Sequence, residues 1–287
     1  MRRDEAIAAI EWLVEMGADE VVGDEPVNRL APESSSRQHS SSRSDPSRRK
    51  PGPILPRDDS PGISPSPAMG PGFRRDDGPR GGNAVDDAKA IAAACQSLDD
   101  IVAALSRFDA CPLKRTATNL ALCDGNPLAH VMCIGEAPGR DEDLQGKPFV
   151  GRSGQLLDRM LEAAGLSRSA EDPAQAVFIT NVIFWRPPGN RTPTEQETLM
   201  CLPFLHRTIE VLRPRFILCL GATPTQRLTG RTDGILKLRG KWFDFDLGDR
   251  KVPLLPTLHP AYLLRQPTNK RLAWRDLLSL RMSLDAH

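Results

Sequence analysis

No Cys-x-x-Cys pair occurs anywhere in the 287 residues, and no stretch of about 18 apolar residues is present. The first absence removes the commonest zinc and dithiol-redox signatures. The second removes a membrane-spanning helix. The N-terminus scatters Asp4, Glu5, Glu11 and Glu15 among its apolar residues, so a secretory leader is not expected. Neither a GxGxxG fingerprint nor a glycine loop followed by Lys-Ser/Thr occurs, which argues against dinucleotide binding and phosphoryl transfer. Strong net charge is lacking too: the formal balance is +1. That balance hides an asymmetry, because residues 1–109 carry 14 Lys+Arg against 19 Asp+Glu and residues 110–287 carry 24 against 18. A mildly basic second half suits a polyanionic partner. The six cysteines, two of them inside apolar runs, read as free thiols in a reducing, cytoplasmic setting.

Three regions follow from composition. Residues 1–30 contain an amphipathic helix at 4–16, with Ile7, Ile10, Leu13 and Val14 on one stripe. This segment could dock on the main domain or on a protein partner. Residues 31–85 are a Ser/Pro/Gly/Arg-rich linker with too little apolar side chain to offset chain entropy, so disorder is expected. Residues 86–287 form the folded domain, opening on helical spacing at 86–107.

From 128 onward, apolar runs at 130–134, 176–180, 215–220 and 252–258 alternate with helical stretches at about 153–165, 195–212, 222–229 and 269–284. This alternation predicts an α/β fold: a parallel sheet between two helical layers. Asp244, Asp246 and Asp249 fall on a hairpin and receive no role. In such sheets ligands bind beyond the carboxyl ends of the strands. Three informative loops start there.

The first, GEAPGRDEDLQGKPFVGRSG at 135–154, begins with a tight Gly/Pro turn that lets backbone approach a ligand. Glu136 sits one residue past a buried strand, where an unpartnered acid is costly. Phe149, in a loop between Pro148 and Gly151, offers a flat face for stacking a base, and the helix entered near Ser153 offers amides to a phosphate. The second loop, TNVIFWRPPGNRTPT at 180–194, starts at Asn181, whose amide matches the O4 acceptor and N3–H donor of uracil and mismatches cytosine. Arg186 and Arg191 suit phosphate contacts. The third, TLHPAYLLRQP at 257–267, presents His259 at the sheet edge. Leu263 and Leu264 could wedge a base step open, with Arg265 on a phosphate.

These three ordered motifs resemble the uracil-DNA glycosylase superfamily, nearest its family 4, over about 108–285. The resemblance implies a three-layer α/β/α sandwich with a four-stranded parallel central sheet. It implies Glu136 and Glu142 as the acids of the first motif, with Phe149 stacked on uracil and Asn181 on its polar edge. His259 then contacts O2, and the 263–265 loop enters the duplex. The implied reaction is hydrolysis of the N-glycosidic bond of deoxyuridine in DNA after nucleotide flipping, with Glu142 in preference to Glu136 orienting water. A monomer acting on uracil-containing DNA is expected. Two departures stand out. Ala137 replaces a glycine of the first turn. Of four cysteines that hold a [4Fe–4S] cluster in that family, Cys111 and Cys201 remain, while Phe108 and Trp185 occupy the other positions. The expectation is therefore no metal and no cofactor. The 184–194 segment lacks the basic insertion of the branch that traps DNA covalently, so ordinary turnover is expected. Rival readings are a glycosylase for hypoxanthine or mismatched thymine, and a non-catalytic DNA-binding relative.

Overall fold

The computed structural model describes residues 84–286. The expected helix at 4–16 and nearly all of the linker lie outside the described residues. Ala84 and Val85, assigned above to the linker, instead start the first helix. Where one helix is expected at 86–107 there are two, α1 (Ala84–Ala94) and α2 (Leu98–Arg107). Ser97 breaks the run: its hydroxyl accepts from the Asp100 amide at 3.1 Å, and the Asp100 carboxylate accepts from the amides of Ser97 and Gln96. That reciprocal cap starts a new helix.

The sheet has six strands: β1 (Cys123–Gly125), β2 (Val131–Gly135), β3 (Val177–Asn181), β4 (Phe216–Leu220), β5 (Phe243–Asp246) and β6 (Lys251–Thr257), in the order β1-β3-β2-β4-β6-β5. The four expected strands are the parallel centre, 3-2-4-6, and antiparallel β1 and β5 are added at the edges. Strand β1 escapes a search for apolar runs, since Cys-Asp-Gly is half polar and covers only a sheet edge, whereas β5 and β6 form the hairpin expected around Asp244 and Asp246.

Seven more α-helices follow among the described residues: α3 (Arg140–Gln145), α4 (Arg152–Ala163), α5 (Glu195–Leu212), α6 (Ala222–Thr229), α7 (Ile235–Leu238), α8 (Pro260–Arg265) and α9 (Lys270–Asp285). The two-residue period of a strand decides the layers. Met132, Ile134, Phe178 and Ile217 face Ile101, Leu105, Phe204 and Ile209 of α2 and α5. Val131, Cys133, Val177 and Leu218 face Leu156, Leu157, Leu277 and Leu280 of α4 and α9. Every residue of β2, β3 and β4 is buried, so the centre of the sheet is covered on both sides. Each large apolar side chain so buried contributes about 1.5–3 kcal/mol. Among the described residues no helix is long and apolar enough to cross a membrane.

Register brings the loops together. Gly135 pairs with Asn181, and Leu220 with Thr257, so neighbouring strands end level with one another. The three informative loops therefore leave from one edge.

Candidate active site

A cleft of about 440 Å³ opens at that edge. Its walls include Glu136, Ala137, Glu142, Phe149, Ser153, Asn181, Arg191, His259 and Arg265, which come from all three loops. Arg186, Leu263 and Leu264 are not among the lining residues.

Asn181 closes β3 and is 1% exposed, yet its Oδ1 has no hydrogen-bond partner. An unmade bond on a buried acceptor costs roughly 1–3 kcal/mol, so the fold keeps this atom unpaired at a penalty. Gly135 explains how the ring of Phe149 reaches the same place. A Cβ built on Gly135 would fall 2.5 Å from the Phe149 ring and closer still to Asn181 Oδ1. Phe149 itself has φ 54°. That left-handed backbone costs about 1–3 kcal/mol for a bulky residue and places its ring 5.5 Å from that of His259, tilted by 32°.

His259 is the N-cap of α8, and its Nδ1 accepts the Ala261 amide at 3.1 Å. An accepting Nδ1 puts the proton of a neutral ring on Nε2, leaving that nitrogen as a donor. Burial, and secondarily the Arg265 guanidinium, push the imidazole down to about 4. The ring backs onto Gly221, where an added Cβ would lie 3.1 Å from His259 Cβ. No role was expected for the loop after β4, and Gly221 is the site residue missed there. Pro187, Asn190, Thr192 and Pro193, also lining the cleft, were read only as part of an arginine-bearing loop.

The depressed imidazole has a thermodynamic consequence. In the unfolded chain His259 protonates near its ordinary 6.5, whereas the folded ring stays neutral to about 4. Below pH 6.5 the unfolded state takes up a proton the native state refuses, so stability falls as pH drops through this window. Denaturant unfolding at pH 7 and pH 5 is expected to show a larger loss for the native chain than for His259→Asn. Equal losses would mean the ring is not held neutral.

The two acids differ. Glu142 is buried, and both its oxygens are occupied: Oε1 accepts from Val150 N at 3.0 Å and Gly151 N at 2.9 Å, Oε2 from Gly139 N at 3.1 Å. The Glu136 carboxylate is half-buried and has no side-chain partner among the described residues. Arg191, a candidate phosphate contact, forms a bidentate pair with Glu197 at 2.6 and 2.9 Å. This pair, with a backbone amide and hydroxyl of Thr194, holds the Glu197 carboxyl at about 2 and anchors the 187–193 loop to α5. Arg186 donates to Asn190 Oδ1 at 2.7 Å. Leu263 is a correction. It is fully buried in the α4/α9 layer because 260–265 is a helix, and a wedge must be exposed. Leu264, at 38% exposure, faces out.

The matched family model, Uracil DNA glycosylase superfamily, covers residues 123–278. The chain is 42% identical to the type-4 uracil-DNA glycosylase of Archaeoglobus fulgidus over 176 residues, 60% of this chain and 85% of that protein. It is 42% identical to the type-4 enzyme of Thermotoga maritima over 176 residues, 60% of this chain and 87% of the relative. The type-4 enzyme of Saccharolobus solfataricus matches at 39% over 195 residues, 66% and 88% of the two chains. A cleft walled by three strand-end loops thus coincides with the matched region, and the chain belongs to the uracil-DNA glycosylase superfamily, with type-4 enzymes among its relatives.

Proposed function

We propose that this chain is a DNA-repair glycosylase that flips deoxyuridine from DNA and hydrolyses its N-glycosidic bond. The observation that carries this reading is the unpartnered Oδ1 of Asn181, a buried acceptor beside a stacking ring. Uracil N3–H supplies the missing donor, and the amide nitrogen of the same side chain answers O4. Phe149 stacks on the base and the 135–139 backbone lies along its rim. Arg265 takes a flanking phosphate, with Leu264 as the residue available to fill the vacated stack.

As the N1–C1′ bond breaks, its electron pair moves onto uracil and charge collects on O2. The neutral His259 donates from Nε2 to that oxygen, an arrangement supported by its engaged Nδ1. Water adds to C1′, and its proton ends on the departing base or in solvent. Glu136, whose carboxylate is free, is the better candidate for orienting that water and facing the positive sugar. This reverses the expected preference, because three backbone amides already take three of the four lone-pair directions of the Glu142 carboxylate. Glu142 then acts by holding the Gly139 turn and the 149–151 loop together.

The [4Fe–4S] cluster that the family resemblance implies does not fit these residues. Four thiolates are needed. Cys111 and Cys201 are buried in one core cluster, but Phe108 and Trp185 are buried in the same cluster, and Phe108 packs on Phe204 at 5.3 Å. Cys95 donates its thiol to the Ile91 carbonyl, and Cys123 lies on edge strand β1. Among the described residues, no group of three or more His, Cys, Asp or Glu is arranged for a metal. No step is routed through iron.

The test is incubation of aerobically purified full-length protein with a uracil-containing oligonucleotide in excess EDTA, followed by scoring of abasic sites. Full cleavage by a colourless sample is expected. A brown sample with four irons per chain would contradict the cofactor reading, and an absence of abasic sites the activity itself. We further propose that the protein is a monomer and cytoplasmic, the compartment being supported by six free cysteines.

A further inference from the structure

Phe149 presents its ring from a backbone conformation that an aromatic residue rarely holds, and such strain persists only where the surroundings over-determine it. Its carbonyl accepts a hydrogen bond from Arg168 Nη2 at 2.9 Å, and the preceding Pro148 carbonyl one from Arg168 Nη1 at 3.2 Å. The amide at the far end of the same peptide, Val150 N–H, donates to Glu142 Oε1 at 3.0 Å. A single peptide unit is therefore gripped at its oxygen by a cation and at its nitrogen by an anion. Both charges point the way its dipole requires. Gly154 completes the seat, since any Cβ there would overlap the Phe149 carbonyl.

Arg168 is itself fixed. Nε donates to Asp158 Oδ1 on α4 at 2.8 Å, and Nη1 to Asp124 Oδ2 on β1 at 3.0 Å. Its side chain is 16% exposed and does not line the cleft. A planar fork of five N–H donors can serve two carboxylates and two adjacent carbonyls together, whereas a lysine ammonium cannot span them.

We propose that Arg168 is a positioning residue for base excision: it locks the Phe149 peptide in the left-handed conformation and so sets the height and tilt of the ring that stacks on the flipped base. This rests on the reading of Phe149 as the stacking platform. The bland alternative is an ion pair that merely anchors the loop between α4 and β3, with no bearing on the ring.

Arg168→Lys separates the two, because it keeps the charge opposite Asp124 and Asp158 but loses the fork. Single-turnover cleavage of uracil-DNA is expected to slow about 10- to 100-fold, the scale of an ångström-sized misplacement. Affinity for uncleavable DNA and the melting temperature should stay near wild type, and inhibition by free uracil should weaken. In a Phe149→Ala background the same change should add less than about a factor of two, because both act through one ring. A wild-type rate for Arg168→Lys, or a loss that multiplies undiminished into Phe149→Ala, would overturn the proposal. Should Arg168→Lys not fold, Asp158→Asn loosens the same fork more gently. Its smaller loss must likewise vanish in the Phe149→Ala background, and persistence there is equally fatal. The outcomes are separable: wild-type cleavage by Phe149→Ala sinks the stacking platform itself, whereas a slow Phe149→Ala beside a fast Arg168→Lys sinks only the role of Arg168.

Discussion

Asn181→Asp is expected to lower single-turnover excision of uracil by about 10³-fold or more, the scale on which sites built to hydrogen-bond a substrate reject a mismatch. The change removes the amide donor for O4 and sets a negative charge against that oxygen, while the acceptor for N3–H survives. Two unfavourable terms of roughly 1–3 kcal/mol each act in the bound state. In the free protein the Oδ1 position already lacks a partner, so the fold forfeits no bond there. The residual rate should rise as pH is lowered, because a protonated carboxyl regains a donor for O4. A variant within tenfold of wild type at neutral pH would show that this side chain does not read the base.

His259→Ala is the second large effect. Loss of the Nε2 donor removes stabilisation of the growing charge on O2, worth about 10²–10³ in the chemical step. The same side chain caps α8, so a helix-cap penalty of about 0.5–2 kcal/mol should appear in denaturant unfolding. Asparagine is among the best N-cap residues but too short to place a donor where Nε2 stands. His259→Asn should therefore recover most of the stability and little of the rate. If restoring the cap also restored cleavage, the histidine would be serving the helix alone.

Much of this architecture could be read from the chain because its physics is local. Four apolar runs of strand length, separated by helical spacings, specify a covered parallel sheet, and strand polarity then assigns the three loops to one edge. What escaped depends on distant partners. Glu142 was expected to orient water, as the family resemblance implies. Only the return of Val150 and Gly151 over its carboxylate makes it a buried loop holder. Leu263 belongs to a segment that looks like an exposed tail of the motif, and its burial arises because a helix turns it toward α4 and α9. Arg191 was assigned to phosphate from its charge alone, whereas Glu197 on α5 meets it in the folded chain. Arg168 carried no signal at all: its four acceptors come from β1, α4 and the 148–149 loop. Edge strand β1 was missed because a half-polar tripeptide gains its order from the neighbour it pairs with.

The most direct measurement is a crystal structure of the full chain bound to the products of its own reaction, abasic DNA and uracil. The account predicts uracil N3 within hydrogen-bonding distance of Asn181 Oδ1, its face on the Phe149 ring and its O2 on His259 Nε2. A base lodged elsewhere, with Asn181 Oδ1 still unpaired, would contradict it.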